Sequence, residues 1–185
     1  VEIRLPFKVN EVWRVIQGYD AAGGSHNGYA AFSYDFSRHN ATTGNVSVVA
    51  SATGKVASYK MHVTPPEGEI ESNFIKIAIA PQEYLLYLHL ARGTQNGVVA
   101  GGNFDAVNNN FTFNNNGPII GKDNFVAKVG PKGNHLHMSA STQVKGGNTK
   151  PVAFANYYAS DDDGKNWYPV IRGHPRTGQL IKRTQ

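Results

Sequence analysis

The chain has 185 residues, no cysteine and a formal net charge of +5. Without cysteine, disulfide scaffolds, thiolate metal sites and cysteine nucleophiles are excluded, and any transition-metal site must be built from histidine and carboxylates. Hydrophobic residues make up 40% and charged residues 17%, which suits a globular chain, and there is no run of about 18 apolar residues to insert into a membrane. The positive charge favours anionic partners, nucleic acid or an anionic cell wall. No helix-turn-helix, finger or RNP pattern is present, so a nucleic-acid partner is not expected. The first residues, Val1 to Phe7, lack the apolar core of a signal peptide, and without an initiating Met the chain reads as processed or trimmed.

In chain order, Val12-Trp13-Arg14-Val15-Ile16 reads as an opening strand, and Gly18 as the turn that ends it. Residues 21–28 form a glycine-rich loop carrying His26. Tyr29 to Phe36 is aromatic and partly alternating, so it reads as a strand holding Asp35 between Tyr34 and Phe36. A carboxylate there either faces outward or needs a partner or a metal. Residues 44–63 read as a hairpin: Val46, Val48 and Ala50 alternate, residues 52–55 turn, and Val56 resumes the sheet. Asn73 to Ala80 and Tyr84 to Leu90 are apolar strands, the second carrying His89. Residues 91–129, rich in Gly and Asn, read as an irregular insertion that covers a groove or decorates the surface. A strand then follows at His135, another at Val152 to Tyr158, and a short one at Trp167 to Val170. Asp161-Asp162-Asp163-Gly164 is taken as a solvated turn, because it lacks the closing Glu of a calcium hand. The expected fold is mostly β: a single domain over residues 1–185, built on antiparallel sheet with a substrate groove and long loops.

The chemistry centres on His135-Leu136-His137. On a strand, residues two apart share a face, so the two imidazoles stand together while Leu136 turns to the core. One suits a metal and the other a proton or an oxyanion. The same spacing suits a solvated pair of strand histidines, so a metal site requires ligands from elsewhere. His62 and His174 read as surface residues, and His39 is a weaker ligand candidate than His26. Trp13 and Trp167 read as core or groove-wall aromatics. Tyr157 and Tyr158 are read as core or rim packing, with a groove tyrosine assisting an oxyanion as the alternative.

Taken together, Ser25-His26, Tyr34-Asp35-Phe36, Val48 to Val56, Tyr87-Leu88-His89-Leu90 and Gly133-Asn134-His135-Leu136-His137 resemble the lysostaphin/LytM-type zinc metallopeptidases over roughly residues 23–140. The eight residues between His26 and Asp35 are more than the usual family spacing and resemble the staphylolysin-like branch. Asn134 stands where many members have Pro. The resemblance implies one catalytic zinc ion held by His26, Asp35 and His137, with His89 and His135 doing the chemistry. It implies a zinc endopeptidase, secreted or periplasmic and associated with the cell envelope, acting on peptidoglycan peptides or glycine-rich peptides; a monomer is expected. A catalytically silent peptidoglycan-binding or regulatory domain of the same fold is the alternative. A carbohydrate-binding β module with coincidental histidines would show no convergence of the three ligands.

Overall fold

Alternating apolar and polar positions, punctuated by Gly, Asn and Asp, commit most of this chain to strands. A computed structural model describes residues 1–20 and 24–184; residues 21–23, the first part of the glycine-rich loop, lie outside the described residues. The early strands are β1 (Val12–Gln17), β2 (Tyr34–Arg38), β3 (Ser47–Val49), β4 (Gly54–Lys60), β5 (Asn73–Ala80) and β6 (Glu83–Leu90). The central part supplies β7 (Asn103–Asp105), β8 (Asn110–Thr112), β9 (Ile119–Ile120) and β10 (Phe125–Lys128). The remainder forms β11 (Leu136–Ser141), β12 (Thr149–Lys150), β13 (Phe154–Ser160), β14 (Tyr168–Gly173) and β15 (Leu180–Arg183).

One 13-stranded sheet runs in the order β14-β13-β15-β1-β2-β11-β6-β5-β4-β8-β7, with β12 on β11 and β9 on β4. The pairings in this sheet are antiparallel. Its middle is β2-β11-β6, where strands distant in sequence are brought side by side. Along these strands the alternation is clear. Tyr34, Phe36, Leu136, Met138, Leu85, Tyr87, Ile75 and Ile77 are buried on one face. Against that core packs a second, two-stranded sheet of β3 and β10, which contributes Val48, Val126 and Ala127. Trp13 stacks on Phe7 in the same core. Asp35, Leu86, Leu88, His137, Ser139 and Lys76 alternate with the core positions and so belong to the opposite face.

Three elements differ from the sequence expectation. The strand expected from Tyr29 begins only at Tyr34, because Gly28 turns the chain at φ +52° into a 3-10 turn over Gly28–Ala30. The expected hairpin over 44–63 does not form: β3 pairs with β10 instead of β4. Both Val48 and Val49 are buried, so β3 is better satisfied as part of the layer that closes the core. Residues 91–129 are not decoration. They include β7 to β10, and Val99, Ile120, Val126 and Val129 are fully buried in the core.

Candidate metal centre

Asp35 owes its position to its neighbours. Tyr34 and Phe36 stack with ring centroids 5.6 Å apart inside the core, so alternation turns the intervening carboxylate to the other face. There it is opposite His137 on β11, which in turn is opposite Leu88 on β6. His137 Nδ1 lies 2.9 Å from Asp35 Oδ1 and is hydrogen-bonded to it. His135 precedes β11 by one residue, and its Nε2 is 3.8 Å from the same oxygen. The strand therefore begins inside the His-x-His.

His26 arrives from a loop. On the far side of Asp35, Gln17 is its partner in β1. In the orientation that satisfies both ends of the Gln17 amide, its oxygen accepts the backbone N–H of Ser25 at 3.0 Å and of His26 at 2.6 Å. Gln17 thus holds the loop over the sheet. His26 Nε2 lies 3.2 Å from Asp35 Oδ2, off the direction of a hydrogen bond, and this buried ring nitrogen is left without a hydrogen-bond partner. The His26 and His137 rings meet edge to face at 5.1 Å.

His89 reaches the site by an irregularity. Leu88 pairs with Phe74, but Leu90 pairs with Asn73, so His89 is an extra residue in β6, a bulge. Its φ is +67°, a strained conformation for a non-glycine residue. Simple alternation would put His89 with Tyr87 in the core, whereas the bulge turns it beside the site-facing Leu88. There its ring centroid is 4.7 Å from that of His135 and 6.0 Å from that of His137. His89 Nδ1 donates to the Glu71 carbonyl at 2.7 Å. That bond fixes the tautomer in which Nε2 is a free acceptor.

Glu71 is a residue that sequence reasoning missed. Its side chain is buried. Oε1 accepts the Lys132 backbone N–H at 3.0 Å, which ties down the loop just before His135. That loop closes directly over the carboxylate: a Cβ at Gly130 would lie 2.2 Å from Glu71 Cδ. Asn134 completes the turn at φ +49°. Proline is locked near −65°, so this turn is built differently from one with Pro at that position. Gln17 and Glu71 carry no local motif; only the pairing of distant segments reveals them.

The electrostatics follow from burial and company. Burial alone would raise the Asp35 carboxyl, but the imidazoles of His137 and His26 outweigh it and hold the group well below the usual carboxylate range. Burial pushes His89 down to about 4, partly opposed by the Glu71 carbonyl and reinforced by His135 and His137. Burial likewise lowers His135, against the pull of Asp35. Both imidazoles are therefore neutral near pH 7 and available as bases.

One ligand atom from each of His26, Asp35 and His137 falls within a mutual distance of 4.8 Å. Two imidazole nitrogens and a carboxylate oxygen form a donor set that suits zinc with an open coordination position. The buried His26 nitrogen without a well-directed hydrogen bond fits that arrangement, since a buried polar group left unpaired is costly. The other sequence candidates lie elsewhere. His39 contacts Arg14 and Asn40, His62 bonds Asn109, and His174 bonds the Val152 carbonyl. Tyr157 is buried in β13, with three strands between it and β11 in the sheet order, too far away to assist at this centre. Trp13 is core, and Trp167 lies under Lys182 at 4.1 Å.

Fold and side chains together define a class: a β-sheet domain with a His–Asp–His centre on the open face of its middle strands and two more histidines alongside. No family model matches the chain, and no curated protein matches it either. Among solved structures, it resembles pseudoalterin, an M23 metalloprotease from the deep sea, with a TM-score of 0.51 and 14% identity over 93% of this chain and 99% of that one. This is a likeness of fold. Looser likenesses are to Helicobacter pylori Csd3 (TM-score 0.45, 15% identity, 82% of this chain and 33% of that one) and to a zinc-containing peptidase from Vibrio cholerae (0.38, 16%, 76% and 37%). The chain therefore spans about a third of the length of those two proteins.

Proposed function

We propose that this chain is a zinc-dependent endopeptidase that hydrolyses peptide cross-links of bacterial peptidoglycan, at glycine-containing bonds, outside the cytoplasm. The observation that carries the reading is the convergence of His26, Asp35 and His137, with a buried His26 nitrogen lacking a partner. The fold shared with pseudoalterin, an M23 metalloprotease, supports the peptidase class. The net charge of +5 suits an anionic wall.

His26, Asp35 and His137 hold the ion in this reading. Zinc bound there supplies a Lewis acid that polarises the scissile carbonyl and lowers the pKa of water toward ~7. His89, with Nδ1 committed to the Glu71 carbonyl, presents Nε2 to take the proton of the attacking water and return it to the leaving amine. His135, close to both His89 and Asp35, donates to the oxyanion that develops on the carbonyl. Leu86 and Leu88 give the face beside His137 an apolar floor.

The test is metal content of the purified chain together with peptidoglycan release with and without a chelator. About one zinc per chain and chelator-sensitive release are expected. Zinc without release from any wall type would leave the silent binding domain, and no zinc after reconstitution would end both readings.

A further inference from the structure

Beside the metal centre lies a cleft of about 280 Å³ that begins at His137 and runs along β11 past Ser139 toward Ser141. Its floor is Leu86 and Leu88, and Lys76 lines it. Register explains this placement. Lys76 pairs with Leu86, and Leu86 pairs with Ser139, so Lys76 belongs to the row one pleat step beyond the row of His137.

Lys76 is buried. Its ammonium donates to the Val144 carbonyl at 2.8 Å and the Gln143 carbonyl at 3.3 Å. Among the described residues no carboxylate lines the cleft, and burial lowers the ammonium pKa. An ammonium has three donors, and two are used. A buried positive charge with no counter-charge among the described residues lacks only an anion.

We propose that this cleft is a subsite for a peptide carboxylate, held by the Lys76 ammonium. The inference rests on the peptidase reading, because the occupant is the molecule whose scissile bond sits at His137. Ser141 Oγ shares the Gln143 carbonyl with Lys76, which places the ammonium toward the Ser141 end. At about 3.4 Å per residue, this is roughly three residues of extended peptide from His137. The preferred substrate is then a short peptide segment bearing a negative charge about three residues from the cleaved bond. The charge is either a free C-terminus or an acidic side chain.

The experiment is calorimetric titration of the zinc-loaded chain with triglycine, triglycine amide and N-acetyl-Gly-Gly-Glu amide. The free acid is expected to bind at least about tenfold more tightly than the amide, with the preference lost in Lys76→Gln and kept in Lys76→Arg. Tight binding of the glutamate peptide assigns the charge to a side chain; tight binding of triglycine alone assigns it to a C-terminus. Equal binding of acid and amide, or a preference that survives in Lys76→Gln and so belongs to the metal, overturns the proposal and leaves Lys76 as a clamp on residues 143–144. If Lys76→Gln fails to fold, NMR of the unaltered chain decides. Triglycine must shift the backbone amides of Ser139, Ser141 and Gly146 more than its amide does, and equal shifts overturn the subsite. Acid selectivity in a chain that cleaves no peptide would keep the subsite and remove the peptidase. Cleavage without selectivity would do the reverse.

Discussion

His89 makes the centre sensitive to acid even before any metal is considered. Its side chain has an ordinary pKa of 6.5 in an unfolded chain and about 4 in the folded one. Between these values the unfolded state binds the proton and the folded state does not, so stability falls as the pH drops through this window and is unaffected above it. At about 1.4 kcal/mol per pH unit, the difference sets a ceiling of about 3 kcal/mol on the stability lost between pH 6.5 and pH 4. The ring is only part-buried, and solvent screening brings the expected loss to about 2 kcal/mol. The assay is urea unfolding of the zinc-stripped protein at several pH values, comparing the unaltered chain with His89→Asn, a residue that tolerates the left-handed backbone of this position. The pH dependence of the difference should be confined to that window. NMR titration of the His89 ring should give a midpoint well below 6.5. A midpoint at or above 6.5, or identical acid sensitivity in the two proteins, would refute the burial argument and the role of His89 as a base kept neutral.

Four other outcomes are expected. His137→Ala should abolish zinc binding, measured by metal analysis after dialysis, whereas His135→Ala should keep zinc and lose about 10²- to 10⁴-fold in turnover; the opposite pattern would invert the roles. His26→Ala should weaken zinc retention despite the length of its loop, and unchanged metal content would remove it from the ligand set. Gly130→Ala should cost about 1–3 kcal/mol by thermal or urea melting, because the new methyl meets the Glu71 carboxylate within 2.2 Å. Pairing it with Glu71→Ala should recover part of that loss. Asn134→Pro should destabilise the turn before His135, while Asn134→Gly should fold normally, since only the second accepts the positive φ seen there; equal melting temperatures would show that the turn is not constrained.

Much of the candidate centre is legible in the sequence, for a local reason. Strand alternation is a two-residue rule, and Tyr34-Asp35-Phe36 and Leu136-His137-Met138 each place one polar group between two core residues. Such triplets announce which side chain leaves the core, whatever the strand pairs with. The strands at Val12, Asn73 and Tyr84 are visible in the same way. The mispairing of residues 44–63 shows the limit. Val48 and Val49 read as strand, yet their partner is β10, some 75 residues later, and no local pattern names a partner at that distance.

What only the tertiary structure decided is convergence. Asp35 meets His137 because β2 and β11 are neighbours in the sheet, and His26 meets both because Gln17, opposite Asp35, grips its loop. The direction of His89 depends on one bulged residue, which reverses what alternation would dictate. Glu71 and Lys76 matter through a carbonyl, a carboxylate and an ammonium that reach residues far along the chain. The sequence by itself determined the donor types and the faces of the strands, because these follow from side-chain chemistry and a two-residue period. Pairing, bulge and loop closure were left to the folded molecule, because backbone hydrogen bonds between distant segments look alike in every sequence and are selected only by how the whole core packs.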